Sequence, residues 1–180
     1  MIYRLLDVRK APPHIVTLSS PIKMIGVSSR VNEKNIYREA QALGQRYENI
    51  KAAKIIQHKK EPWGFVAISK SFAEDGSWEY LMGDVVDDFE IVPEGLNAFE
   101  IPAQSYARFS LRPRWIWAWG LAMGLLKKYI YTQWLPASEY KPDNALVGDF
   151  EYHDQRSLAK RPEIDLYVAI RKKQDTHDNC

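Results

Sequence analysis

Apolar and β-branched positions crowd the stretch His14 to Val31, HIVTLSSPIKMIGVSSRV, which is interrupted once by Pro21. Proline has no amide hydrogen to give to a ladder, so this stretch predicts a long strand broken by a kink or bulge at that residue. Asn32 to Asn35 then supply polar N-cap side chains. Ile36, Ala40, Leu43 and Tyr47 recur at helical spacing on one face, which predicts an amphipathic helix of about four turns. Beyond a polar connection over 51–62, strands are expected at Gly64 to Ser71 and at Trp78 to Val86, with AEDGS between them as a hairpin turn.

After the proline- and glycine-marked loop from Val92 to Gly95 the same order recurs. Asn97 to Leu111 is β-prone and broken at Pro102, Arg114 to Leu135 reads as a helix, and strands are expected at Ala145 to His153 and Glu163 to Arg171. The expectation is an α+β fold built from a duplicated βαββ module. Its two pseudo-symmetric halves, 14–90 and 97–172, sit within one domain over 1–180. The second helix begins WIWAWGLAMGLL, apolar all round, as in a helix covered on several sides. Gly120 and Gly124 lower its intrinsic propensity by up to ~1 kcal/mol each. They either permit close packing against the sheet or leave room for a ligand beside Trp117 and Trp119.

Composition narrows the function. A chain of 180 residues can bury roughly 70% of its unfolded surface without a covalent staple. The single cysteine, Cys180, offers no disulfide framework and no zinc cluster, which favours a reducing compartment. The N-terminal apolar run is too short for a signal peptide, and Trp115 to Leu126, closed by Lys127 and Lys128, falls short of a membrane span, so a cytoplasmic protein is expected. A formal net charge of +2 with interleaved signs gives no field for nucleic acid. No G-x-S-x-G elbow, phosphate loop or H-E-x-x-H occurs, and His14, His58, His153 and His177 show no ligand-like pairing. Ser157 beside His153 and Asp154 is sequence proximity in a turn and not a triad. No metal or nucleotide cofactor is expected. Six Trp and ten Tyr stand out, because such side chains fill cores and also line pockets that combine apolar area with a polar handle.

Several segments resemble one family. GLNAFEIPAQSYARFSL is similar to the "IPA-x-x-Y-A-x-F" strand that opens the second half of GyrI-like proteins, the AraC-type effector-binding family. DFEYHDQRS and RPEIDLYVAIRKK resemble the strands of their closing hairpin, and IVTLSSPIKMIGVSSRVNE, ALGQRY and GSWEYLMGDVV fit the first half. The resemblance spans Ile15 to Lys172, with Gly44 where relatives often carry tryptophan and Ala169 where many carry proline. It implies antiparallel sheets and two main helices around a central cavity, which in the multidrug-sensing members is aromatic and has a carboxylate at its base. The matching position is Glu163. In a strand from Ile164 to Ile170, Ile164, Leu166, Val168 and Ile170 share one face, beneath the helices, while Glu163, Asp165 and Tyr167 share the other. Glu163 is thus a cavity carboxylate or a solvated strand end after Pro162. Tyr106, Trp117, Trp119, Trp78, Tyr80, Tyr152 and Tyr167 are the other wall candidates, each with ordinary core packing as its alternative.

The resemblance implies a stand-alone module that senses or sequesters a small, mostly apolar or aromatic molecule, of the cationic kind that the multidrug-sensing members attract. Its regulatory partner would be a separate chain, with no direct contact to DNA or membrane. Two alternatives follow from the same family. One is hydrolysis of reactive cyclopropanoid electrophiles, with Glu163 activating water and Tyr106 as hydrogen-bond donor or acid. The other is protection of a partner such as DNA gyrase through surface contact.

Overall fold

Each proline-interrupted stretch divides into two strands that part company. The computed structural model describes residues 12–113 and 118–173. Its first stretch forms β1 (His14–Thr17) and β2 (Ile22–Val31), and the corresponding later one forms β5 (Asn97–Ile101) and β6 (Ser105–Leu111). Between and after them run α1 (Ile36–Ala52), β3 (Phe65–Lys70), β4 (Trp78–Val86), α2 (Trp119–Tyr129), β7 (Tyr140–Pro142), β8 (Val147–His153) and β9 (Ile164–Lys172). The strands make one sheet in the order β1-β6-β9-β8-β3-β4-β2-β5, with β7 added to the end of β9. Each of these neighbouring pairs is antiparallel, as in Ile15 opposite Ala107 and Met24 opposite Phe99. The kinks expected at Pro21 and Pro102 are therefore complete exchanges of partner.

That exchange bends the sheet. From Thr17 to Ile22 the chain moves from one end of the strand order to near the other. Five Cα steps reach about 18 Å at most, whereas six inter-strand spacings in a flat sheet need about 29 Å. The sheet must curl until its ends approach, and the two links touch, with Leu18 N–H donating to Gln104 O at 3.1 Å. Inside the curl, Met24, Val66, Ile68, Leu81, Tyr106 and Phe150 form a buried core. Strand alternation sends the other residues outward. There α1 packs on Val27, Ala67 and Met82 through Leu43 and Tyr47, and α2 packs on Phe109, Leu166 and Val168 through Ala122 and Leu126.

Local chemistry explains the helix ends. Before α1, Asn32 and Asn35 each accept a backbone N–H from the other, at 3.2 and 2.7 Å, tightening the turn that launches the helix. The α2 cylinder continues into a wide π turn, Ile130–Trp134, and stops after Leu135–Ala137, where Pro136 and an extended Ser138 end it. The expected helix start at Arg114 to Trp117 lies outside the described residues. Among those described, no helix is long and apolar enough to cross a membrane.

Gly26 and Gly83 face each other across β2 and β4. A Cβ on Gly26 would fall 1.9 Å from Met82 O, and one on Gly83 would fall 2.0 Å from Ile25 O, so the strands meet there backbone to backbone. Gly26→Ala or Gly83→Ala is expected to lower stability by roughly 2–3 kcal/mol. A Cβ on Gly44, within α1, meets nothing within 4 Å. Gly44→Ala should therefore raise stability by about 0.5–1 kcal/mol, with urea denaturation reading all three variants.

Candidate functional site

The seam between β3 and β8 joins the two repeats of the element order, and here α1 and α2 stand apart. A cavity of about 420 Å³ opens between them, a volume in the range of small-molecule sites. Ile36, Tyr37 and Ala40 of α1 form one wall, and Trp119, Met123 and Lys127 of α2 form the other. The floor is Ser69, Trp78, Tyr80, Glu151, His153 and Ile164.

The floor's chemistry comes from strand β8. In DFEYH, Asp149, Glu151 and His153 alternate with Phe150 and Tyr152, so the acids and the imidazole face the helices while the rings enter the curl. Lys127 Nζ donates to Asp149 Oδ1 at 2.8 Å and lies 4.0 Å from Glu151 Oε1. Tyr131 Oη donates to Asp149 Oδ2 at 3.0 Å. His153 Nε2 is 3.6 Å from Glu151 Oε2, and its ring packs edge-on to Phe65 at 5.2 Å and tilted to Trp119 at 6.4 Å. Asp149 thus has close partners on both oxygens, whereas Glu151, 16% exposed, has longer charged partners among the described residues.

Burial opposes ionisation of Glu151, but the neighbouring His153 imidazole and the Lys127 charge outweigh it and hold the carboxyl below its usual range. Burial likewise opposes the Lys127 charge, which Asp149 and Glu151 more than restore, so the ammonium titrates above its ordinary value. Burial, and then the two acids, push the Tyr80 phenol well up, so it stays neutral.

Of the residues expected from sequence, Trp78, Tyr80 and Trp119 line this cavity. Trp78 is also stacked on Phe72, 6.1 Å away. Tyr106, Tyr152 and Tyr167 face the interior of the curl. There Tyr106 meets Phe150 at 5.3 Å, Tyr167 stacks on Phe150 at 4.7 Å, and Tyr106 Oη donates to Pro102 O at 2.9 Å. Trp117 lies outside the described residues.

Glu163 does not line the cavity; its neighbour Ile164 does, and alternation turns Glu163 the other way. Its carboxylate accepts from Arg156 at 3.1 Å and from Arg112, while Asp165 accepts from Arg156 at 2.7 Å and from Ser110 at 2.6 Å. The inward carboxylate is Glu151, which sequence reasoning missed, although the acid–aromatic alternation of DFEYH was its visible signal.

Gly120 and Gly124 turn toward the cavity and the Tyr37 ring, not toward the sheet. A Cβ on Gly124 would lie 3.2 Å from Tyr37 Oη, and one on Gly120 would lie 3.7 Å from the ring. Asp154 caps a 3₁₀ turn, Gln155–Leu158, and Ser157 Oγ donates to Asp154 O at 2.7 Å, so these residues shape a turn. Away from the cavity, His58, Asp88 and Glu90 bring potential metal-ligating atoms within 4.8 Å of one another. His58 Nδ1 is 3.0 Å from Asp88 Oδ1, a pairing that sequence spacing did not reveal.

Comparison with known proteins places this geometry. Residues 14–170 match the family profile described as Cass2, integron-associated effector binding protein. Over 101 residues the chain is 33% identical to the transcriptional regulator BrlR of Pseudomonas aeruginosa, covering 53% of this chain and 34% of BrlR. The chain thus spans about a third of that relative's length. Among solved structures, SAV2435 bound to tetraphenylphosphonium has a TM-score of 0.66 at 13% identity, over 89% of this chain and 94% of that one. The Vibrio cholerae integron cassette protein VCH_CASS2 has a TM-score of 0.60 at 14% identity, over 89% and 96%. At such identities the likeness establishes a shared fold.

The electrostatics of the floor set an acid limb on stability. Because the folded-state pKa of Glu151 lies below its ordinary value near 4.5, its contribution is present above that value and lost as pH falls through the folded one. Melting temperatures from pH 7 to pH 3 should fall less steeply for Glu151→Gln than for wild type.

Proposed function

We propose that this chain, which belongs to the Cass2 family of integron-associated effector-binding proteins, holds a flat or globular aromatic cation in the cavity between α1 and α2. It would serve as a cytoplasmic sensing or sequestering module. The observation that carries this is the lining itself: Glu151 lies on the floor beside the Trp78 and Tyr80 rings, Trp119, Met123 and Lys127 form the α2 wall, and Asp149 sits behind the lysine.

Aromatic and thioether walls take up apolar surface, and ring faces attract a cation by about 0.5–2 kcal/mol each. Glu151 supplies the point charge in a site where the surrounding rings limit screening. Its protein partners keep it ionised, so a ligand finds the anion already formed. SAV2435, which shares the fold, was solved with tetraphenylphosphonium, a cation of this type. BrlR is a transcriptional regulator of which this chain covers 34%. That likeness supports a regulatory setting for the small molecule held in the cavity.

Calorimetric titration with tetraphenylphosphonium tests the assignment. Wild type should bind, Glu151→Gln should weaken binding tenfold or more, about 1.4 kcal/mol, and Trp119→Ala should weaken it by a similar factor. Glu163→Gln should bind as wild type does. No binding by wild type, or equal losses in the two glutamate variants, would refute it.

A further inference from the structure

Lys127 is an unusual wall for a cavity suited to cations. It projects from α2 into the lining, while Asp149, its closest partner, does not belong to that lining. Asp149 is occupied by the ammonium at 2.8 Å and by the Tyr131 hydroxyl at 3.0 Å. Glu151 does lie in the lining, and its contact with the same ammonium is the longer one, 4.0 Å. The two carboxylates and one ammonium sum to a single negative charge, which Glu151 presents to the cavity. Tyr80 adds no charge, because burial keeps its phenol neutral.

We infer that Lys127 sets the charge selectivity of the cavity: by neutralising Asp149 inside the wall it restricts the site to ligands carrying one positive charge. This rests on the cavity taking organic cations. One ligand charge cancels the residual anion at Glu151. A second charge on the same ligand meets no further acid among the described lining residues and is repelled by the lysine beside it, in a site only partly screened by water. Discrimination of this kind arises from a repulsive element, as well as from the attractive one that holds the preferred ligand.

Ethidium and propidium share a phenanthridinium ring system and differ by a second, quaternary ammonium, so the ratio of their affinities reads the selectivity. Fluorescence titration at pH 8 favours ionised acids even where a lysine has been removed. Under those conditions Lys127→Gln should shift the ratio toward propidium by about tenfold. The double variant Lys127→Gln/Asp149→Asn removes one charge of each sign and leaves no buried acid without a partner, so it should return the ratio to the wild-type value. A ratio that stays within threefold of wild type in Lys127→Gln would overturn the inference while leaving cation binding intact. So would an equal shift in the single and double variants, which would mark a packing effect. Wild type binding neither dye nor tetraphenylphosphonium would overturn the proposed function and this inference together.

Discussion

Everything in this molecule is arranged around two short links, 18–21 and 102–104, that carry the chain between opposite ends of one sheet. Because each spans so little, the sheet has to close on itself, and closure divides its two faces by role. The inner face carries Phe150, Tyr106 and aliphatic side chains, all buried. The outer face is covered by two helices, each packed mainly on the strands of its own half. Where the halves meet, at the β3–β8 pairing, cover is incomplete. The cavity is the space left at that seam.

Two acidic groupings lie on opposite faces of the neighbouring strands β8 and β9, and their surroundings differ in kind. Glu163 and Asp165 are shared among Arg156, Arg112 and Ser110, with guanidinium forks supplying several donors. Such a grouping has its valence met internally. Asp149 and Glu151 have one ammonium between them, with a hydroxyl and an imidazole nearby. Buried acids are costly unless paired, and Glu151 is the one whose pairing is loosest. A carboxylate held in that condition by surrounding structure is the ordinary signature of a site and not of a core.

Local periodicity made much of the fold readable. The helix predicted from Ile36 is α1, and the strand predicted from Trp78 to Val86 is β4. The phase of β9, with Ile164, Leu166 and Val168 beneath the helices, also follows from alternation alone. What alternation could not disclose was partner choice. Proline at 21 and 102 signals an interruption, but which strand each fragment joins is settled by sheet closure, a property of the whole chain. The three-residue β7 was too short to carry a pattern. The site suffered from the same non-locality. Glu163 was assigned to the correct face of its strand, yet the cavity lies on the opposite face, because its position depends on how far apart two helices settle. The wall candidates divide along that boundary, with Trp78, Tyr80 and Trp119 on the cavity side and Tyr106, Tyr152 and Tyr167 on the other.

At the cavity's rim, Tyr37 is 68% exposed and rests over the bare backbone at Gly120 and Gly124. A phenol so exposed and lying on glycine meets one smooth surface there, with no side chain on those two residues to interlock with it. Side-chain rotations in exposed residues take picoseconds to nanoseconds, against microseconds or longer for hinged domains. For a guest held as proposed, side-chain rotation at the rim would then leave the pace of exchange to how tightly the guest is held.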